Sequence, residues 1–368
     1  MATTLFETLR SEMDGISAEY DRDFAGQSRN TRDMAQLDAL IKKTKDVLKR
    51  IDEIPAVAQG PQIATFRELV VGSQSTYETE KKAIETARTM GPEFADFSVQ
   101  ATLANFVFAR YGRHFAGQDR STRDVGLLGE MIEDLKQIRK QMTTIASKRK
   151  SENYDRDINV VDSNIKMYQN ELTEIQGVHK NASKDDQASI MASLANEQFN
   201  VYRVHFAGQS RNTRRPQLLM RVIDNLKRIK GTMDTLQREN VASEHNPKNI
   251  EIVSENLKMY EAELAEIRKA RQSTSFSDLM GMLGGNANEI FESYRQGYAG
   301  KNRGEVDLAN LGTICDRLGE ILRQMVELGR AEKNDSNTRN IEIVCDQLAM
   351  YEQEWEAVRN VQAPKAAS

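Results

Sequence analysis

The chain contains few of the residues that interrupt helices or cross-link loops. Its 368 residues include 6 prolines, 21 glycines, 2 cysteines and 1 tryptophan. The scarcity of proline and glycine favours long uninterrupted elements. Two cysteines exclude a disulfide framework and fit a reducing compartment. Since Cys315 and Cys345 stand inside helical apolar patterns, we expect both to be buried thiols.

Long apolar stretches are lacking too. No run approaches the roughly 18 apolar residues that would suggest a membrane span. The first ten residues lack the basic and apolar regions of a secretion signal. A net charge of -4 and a pI near 5.8 make a nucleic acid an unlikely partner, because they argue against bulk coating of nucleic acid, although they leave local basic patches open. These absences predict a cytoplasmic protein without a membrane span.

Sequence signatures of catalysis are not found either. The chain contains no nucleophile elbow, phosphate-binding loop or dinucleotide fingerprint. The four histidines, at positions 114, 179, 205 and 245, have no spacing typical of a metal site. We therefore predict that the protein is not an enzyme and binds neither a cofactor nor a metal.

An internal repeat is the main positive signal. The sequence Phe-Ala-Gly-Gln-Ser-Arg-Asn-Thr-Arg occupies residues 24–32 and again 206–214, with a close variant at 115–123 and a reduced form beginning at residue 298. A second marker, a tyrosine, keeps the same period of 91 or 92 residues. The two markers, in chain order, are Phe24, Phe115, Phe206 and Tyr298, and Tyr77, Tyr168, Tyr260 and Tyr351. Two markers in phase over four copies establish the repeat.

Each copy is predicted to contain three helices. The second helix carries apolar residues at intervals of three and four, which is typical of the seam of a bundle or coiled coil. The third helix repeats this rhythm around the marker tyrosine, for which packing is the expected role. The second-helix seam positions are Leu37, Leu40, Thr44, Val47, Ile51 and Ile54; Leu128, Met131, Leu135, Ile138, Met142 and Ile145; Leu219, Val222, Leu226, Ile229, Met233 and Leu236; and Leu311, Ile314, Leu318, Ile321, Met325 and Leu328.

The repeated loop has the residues of a helix-to-helix corner. Tyr20 and Phe24 share one face at the end of the first helix. Gly26 then suits a left-handed helix stop. Thr31 is predicted to be the N-cap of the second helix, with Asp33 in its first turn.

These patterns predict an all-α protein of four tandem three-helix, bundle-like repeats of about 91 residues. The predicted repeats are residues 1–91, 92–182, 183–273 and 274–368, the last with a short C-terminal tail, arranged as a rod or a superhelical array. No stretch alternates with period two, so no sheet is expected. In outline the pattern resembles tandem three-helix modules of the spectrin-repeat kind. The resemblance is one of architecture, because the period is shorter and the sole tryptophan, Trp355, occurs in one copy.

The repeated loop is also the candidate binding site. Residues 24–32 and 206–214 are identical, whereas the second helices that follow keep only their apolar rhythm. Glycine allows close backbone approach, a helix N-terminus offers free N–H groups, and arginine is a forked donor, so the loop suits an anion or an acidic partner. The candidate residues are Gln27, Arg29, Thr31, Arg32, Gln118, Arg120, Thr122, Arg123, Gln209, Arg211, Thr213, Arg214 and Arg303.

The same residues have a structural interpretation, which the sequence leaves open. Phe24 would plug the end of the bundle, and Thr31 would cap the next helix. The arginines would bond to carbonyl groups that end the first helix or to acidic residues of a neighbouring unit. In the fourth copy Lys301 and Val306 replace the glutamine and the second arginine, so any binding site there is impaired or different.

The functional prediction is a non-enzymatic helical-repeat scaffold or adaptor. It would bind protein partners or self-assemble through the repeated loops or the helix faces, gaining strength from several similar sites on one array. The alternative is an anion-binding module that uses the arginine loops. Its ligand would be a phosphorylated ligand, an acidic lipid headgroup or a nucleic-acid backbone, and its binding would depend strongly on salt.

Overall fold

The protein is all-helical over the residues that the computed structural model describes. These are residues 2–24, 27–29, 31–55, 60–149, 151–239 and 245–362, with side chains from residue 5 onwards. They contain no strand, as predicted. The twelve helices within them are α1 (Ala2–Phe24), α2 (Met34–Asp52), α3 (Pro61–Met90), α4 (Pro92–His114), α5 (Val125–Ala146), α6 (Glu152–Asn181), α7 (Lys184–His205), α8 (Pro216–Arg238), α9 (Asn246–Gln272), α10 (Phe276–Gly297), α11 (Leu308–Ala331) and α12 (Asp335–Gln362).

A proline begins one of these helices, and glycines follow the ends of others, as Gly26 suggested. Pro92 begins α4, where its missing N–H costs least. Gly117, Gly208 and Gly300 follow the ends of α4, α7 and α10 with φ angles of 77°, 75° and 73°. Glycine adopts this left-handed conformation without steric cost. The corresponding Gly26 lies outside the described residues.

The predicted N-cap of the second helix was wrong by two residues. Asp33, not Thr31, caps α2, and its carboxylate accepts hydrogen bonds from the N–H groups of Ala35 and Gln36. Thr31 instead closes the preceding turn, in which its backbone N–H donates to the carbonyl of Ser28 at 3.1 Å. The helix begins later than predicted because this extra turn stands before it.

The chain forms two compact units. The first comprises Met1–Asp96 with Lys333–Glu342, and the second comprises Phe97–Glu332 with Ile343–Ser368. The first unit has an apolar core between α1, α2 and α3. Leu9 and Phe24 of α1, Leu37 of α2, and Val70 and Ile84 of α3 are all fully buried there.

The second unit contains α5–α11 and most of α4 and α12. One of its apolar clusters lies between α7, α8 and α9 around Leu194, Leu219 and Val253. Helix α11 is buried on more than one face, since Asp316 and Arg323 are buried as well as its apolar seam. Both cysteines are buried thiols, as predicted.

The seam prediction for the second helices is confirmed. Every predicted position is buried except Ile145, which is half-buried. Thr44, the one polar member, donates its hydroxyl to the carbonyl of Leu40 at 2.9 Å, so no polar atom of that side chain is left without a partner. The recurrence of apolar residues every three or four positions therefore located the buried face of these helices correctly.

Candidate functional site

The repeated loops form four corners, residues 20–32, 111–123, 202–214 and 294–306, and each contains a stack of three aromatic rings. In the second corner the Tyr111 ring centroid lies 5.3 Å from that of Phe115 and 4.4 Å from that of Tyr168. The stack joins the end of α4 to the middle of α6. The predicted packing role of the marker tyrosines is thus confirmed. The corresponding stacks are Phe24–Tyr20–Tyr77, Phe206–Tyr202–Tyr260 and Tyr298–Tyr294–Tyr351.

The two loop arginines of the second corner share one carboxylate. Arg120 Nη2 lies 2.9 Å from Glu171 Oε2, and Arg123 forms an ion pair with the other oxygen. Arg123 Nε also donates to the carbonyl of Gln118 at 3.1 Å. The hydrogen bond from Arg120 lowers the pKa of Glu171 below its usual value, so the carboxylate stays charged and paired.

The other corners repeat this arrangement. In the third corner Arg211 and Arg214 share Glu263, and the Arg211 ion pair measures 2.8 Å. The fourth corner keeps only the first pair, in which Arg303 lies 2.8 Å from Glu354. Its Val306, in place of the second arginine, is buried. In the first corner Arg29 and Arg32 share Glu80.

The glutamines and threonines of the loops serve the turn geometry. The main-chain carbonyls of Gln27, Gln118 and Gln209 accept hydrogen bonds from the second arginine of their loop. The hydroxyls of Thr122 and Thr213 donate to the carbonyls three residues earlier at 2.9 and 3.0 Å. Each candidate residue of the loops therefore forms a contact within the chain that stabilises its corner.

The first corner is covered by another segment of its own unit. Asp335 accepts hydrogen bonds from Ser28 N at 3.0 Å and from the hydroxyl of Thr31 at 2.7 Å. Glu342 accepts from Arg29 N at 3.2 Å. As a result Arg32 is only 1% exposed, and its guanidinium also lies 5.6 Å from the Phe24 ring centroid. Ser28 and Arg32 of this loop are therefore buried, whereas Thr31 stays exposed.

Burial and charge act in opposite directions on Glu80. Burial raises the pKa of this carboxyl, but Arg29, Arg32 and Arg339 lower it by more, so its pKa lies below the usual value. Arg339 Nη1 is 3.7 Å from Glu80 Oε1. Three guanidinium groups thus surround one carboxylate in the first corner.

The glutamate partners were missed in the sequence, although a signal for them exists. Glu80, Glu171, Glu263 and Glu354 each stand three residues after the marker tyrosine. Three residues is close to one helical turn, which places the glutamate beside the tyrosine and facing the loop. A charge that recurs in phase with the repeat could have been paired with the recurring arginines.

The second unit contains buried ion pairs that the sequence did not indicate. Asp134 on α5 accepts hydrogen bonds from Arg323 at 2.6 Å and from Arg221 at 3.2 Å. Arg215 lies 3.0 Å from Glu320 on α11. Burial raises the pKa of Asp134, but the neighbouring arginines lower it by more, so it remains charged. We call Asp134, Arg215, Arg221, Glu320 and Arg323 the interior charged cluster.

A second buried group lies around Arg113. Its guanidinium pairs with Asp316 at 2.7 Å and with Glu352, and lies 5.6 Å from the Trp355 ring centroid. His114 Nε2 is 3.0 Å from the other oxygen of Asp316. Burial raises the pKa of Glu352 to about 7, although Arg113 acts in the opposite direction. Arg113 therefore pairs with two carboxyl groups at once, those of Asp316 and Glu352.

Among the described residues neither a metal site nor a membrane helix indicates a function for the chain, and the comparisons with known proteins indicate none either. No group of histidine, cysteine and acidic side chains within the described residues could hold a metal ion. None of the helices described is both long and apolar enough to cross a membrane. The chain matches no family model, no curated protein and no solved structure.

Proposed function

We propose that the chain is built of four tandem three-helix repeats and acts as a non-enzymatic scaffold in the cytoplasm. The ring stack and the arginine–glutamate pair support this organisation, because both recur at the same place in every corner. The scaffold would bind protein partners, or further copies of itself, along its helix faces. Several similar surfaces on one array strengthen binding by avidity.

One observation carries this proposal, namely a methionine exposed at the same place on three helices. Met167, Met259 and Met350 are 47%, 49% and 43% exposed. Each directly precedes the buried marker tyrosine of its helix. Single exposed apolar side chains are normal, but a regular array of them is typical of an interaction surface. Methionine also adapts to partners of different shape.

Further exposed apolar residues extend this surface along the helices. Val160 and Ile252 stand seven residues before the methionines of α6 and α9, and are 46% and 38% exposed. Val178 and Val361 stand eleven residues after those of α6 and α12. Intervals of 7 and 11 residues return to nearly the same side of a helix. These residues therefore form apolar stripes on the outer faces of α6, α9 and α12.

The alternative, anion binding through the arginine loops, has less support. Each loop arginine already pairs with a glutamate, so an anionic ligand would have to displace that carboxylate. Arg120, Arg211 and Arg303 are the accessible members, with side chains 45%, 51% and 51% exposed. A partner can reach them, but their charge is already neutralised within the chain.

Two matched variants test where binding takes place. In the stripe variant Met167, Met259 and Met350 are changed to glutamate. In the control Thr173, Ala265 and Asn360 are changed to glutamate; these residues are also exposed, and they lie about 80–120° around the same helices from the methionines. Both variants gain three negative charges. Sedimentation velocity measures self-association, and cross-linking in an extract of the source cells measures the binding of other proteins.

We expect the stripe variant to lose complexes that the control retains. Circular dichroism should first show that both variants keep the helicity of the natural chain. If the stripe variant keeps every complex, the helix faces are not the binding surface. A third variant, with Arg120, Arg211 and Arg303 changed to glutamine, then decides the alternative, since only loop binding would make it lose its ligands.

A further inference from the structure

A small cavity lies inside the second unit, between the second corner, α7 and α11. Its volume is about 110 Å³. Arg110, His114, Asp124, His205 and Asp316 are among the residues that line it. Since a water molecule takes about 30 Å³ of liquid volume, the space corresponds to roughly three or four waters. It is large enough for a small ion and too small for a nucleotide.

Arg110 is a buried cation without a bonded partner. It is only 6% exposed, and its Nε is buried and makes no hydrogen bond. Among the residues that the structure describes, its guanidinium takes part in no hydrogen bond or ion pair. A buried charge without a partner is costly, so arginines in protein interiors are normally paired. An arginine in this state that lines a cavity indicates a ligand of opposite charge.

The two aspartates that line the cavity are already committed to other groups. Asp316 uses one oxygen for Arg113 at 2.7 Å and the other for His114 at 3.0 Å. Asp124 caps α5 with one oxygen and accepts from Gln198 at 2.5 Å with the other. Neither carboxylate forms a hydrogen bond with Arg110.

Two carboxyls, those of Asp316 and Glu130, act on Arg110 through space without a hydrogen bond. Burial raises the pKa of Glu130 to about 7, although Arg110 and Arg221 act in the opposite direction. Near neutral pH Glu130 therefore carries only part of a negative charge. His205, also in the cavity wall, is neutral there, because burial lowers its pKa to about 4.

We propose that this cavity binds a small tetrahedral oxyanion, inorganic phosphate or sulfate, through the guanidinium of Arg110. The guanidinium fork matches two oxygens of such an ion, and a bond of this kind is strong in a site with little water. Gln118 and Glu197 also line the cavity; the side-chain amide of Gln118 can donate a further hydrogen bond, and the carboxylate of Glu197 disfavours anions of high charge. The site is separate from the apolar stripes, so it does not rest on the proposed scaffold function.

The test uses the full chain with phosphate, sulfate, acetate and chloride as separate probes. Isothermal titration calorimetry should give one site per chain for phosphate or sulfate, and much weaker binding of acetate and chloride. Changing Arg110 to glutamine should weaken oxyanion binding about ten- to hundredfold, the loss expected for a hydrogen bond to a charged group. Changing Arg120 to glutamine is the matched control, because Arg120 lies on the surface of the same corner; that variant should bind as the natural chain does.

Each other outcome contradicts the proposal. No oxyanion binding by the natural chain would mean that the cavity holds water only. Equal loss in both variants, or loss in the Arg120 variant alone, would place the site on the loop. If the Arg110→Gln variant does not fold, Arg110→Lys decides. Lysine keeps the charge without the fork, so weaker oxyanion binding supports the site and unchanged binding overturns it.

Discussion

Two ion pairs of the second unit have nearly the same geometry and very different surroundings. Arg120 and Glu171 at the second corner are 2.9 Å apart, and the arginine side chain is 45% exposed. Arg215 and Glu320 in the interior charged cluster are 3.0 Å apart, and their side chains are 6% and 10% exposed. Distance alone does not distinguish them. Burial does, because water screens the first pair and leaves the second almost unscreened.

The first corner combines features of both kinds of ion pair. Its residues are those of a corner, but Arg32 and Glu80 are as buried as the interior pairs. The cause is the segment 333–342 of the same unit, whose Asp335 and Glu342 bond to the loop. Local sequence therefore sets the geometry of a corner, and the segment that covers it sets how much each ion pair matters for stability.

The largest expected effect is at the centre of the interior charged cluster. Changing Asp134 to asparagine leaves Arg323 and Arg221 without their shared carboxylate. Breaking a buried pair on one side costs about 3–5 kcal/mol of unfolding free energy. Urea unfolding measures this loss. The control is Asp162→Asn, which breaks a surface ion pair with Arg139 of similar length, 2.9 Å. This change should alter the unfolding free energy little. Equal losses in the two variants would show that burial does not determine how much an ion pair contributes to stability.

The second largest effect tests whether the first corner behaves like the interior. Changing Glu80 to glutamine should cost about 3 kcal/mol, because Arg32 stays buried without a carboxylate. The corresponding change of Glu171 to glutamine should cost at most about 1 kcal/mol, since water reaches that corner. Urea unfolding of both variants, followed by circular dichroism, compares them. Similar losses would mean that the covering segment has no energetic role.

A smaller effect, of opposite sign, is expected at Glu130. Its folded-state pKa of about 7 lies above the usual value of 4.5, so the folded protein holds a proton there that the unfolded chain has lost. The stability linked to this proton is present below about pH 4.5 and is lost as the pH rises to about 7. Arg110 and Arg221 face this carboxyl with opposite charge, and Asp124 and Asp134 face it with like charge.

Glutamine imitates the protonated form of Glu130. The Glu130→Gln variant should therefore be more stable than the natural chain at pH 8, by about 1–3 kcal/mol, with little difference at pH 4.5. Thermal unfolding across this pH range measures the difference. The exposed Glu133, three residues later, provides the control, and Glu133→Gln should follow the natural curve. A destabilised Glu130 variant at pH 8 would show that this carboxyl is charged and paired.

The smallest effect is expected in the fourth corner. Arg303 forms a single ion pair with Glu354, and half of its side chain is exposed. Changing Arg303 to glutamine should leave the urea midpoint unchanged within error, because exposed pairs contribute little. A loss as large as that of the Glu80 variant would contradict the ranking by burial.

Much of the fold could be predicted because its signals are local and repeated. The apolar rhythm located the seams of α2, α5, α8 and α11. Ile145 at the end of α5 is only half-buried, since a rhythm does not show where the covering helix stops. Thr31 was misplaced as a cap because threonine and aspartate are both good N-caps, and only the extra turn distinguishes them.

The candidate site was predictable only in part. The loop arginines were found, but their glutamate partners, such as Glu171, were missed. The interior charged cluster could not have been found in this way. Asp134, Glu320 and Arg323 are polar residues on helices whose other faces carry the apolar rhythm, so their pattern is that of a solvated face. What buries them is contact between helices far apart in the chain, which a periodicity does not encode.

Trp355 makes the second unit separately observable. It is the only tryptophan of the chain, it is 5% exposed, and its indole Nε1 donates to the carbonyl of Leu308 at 3.2 Å. The guanidinium groups of Arg359 and Arg113 lie 5.0 and 5.6 Å from its ring centroid. Tryptophan fluorescence thus reports on the second unit alone, whereas circular dichroism records both. If the first unit melts independently, helicity will fall while the emission spectrum stays unchanged.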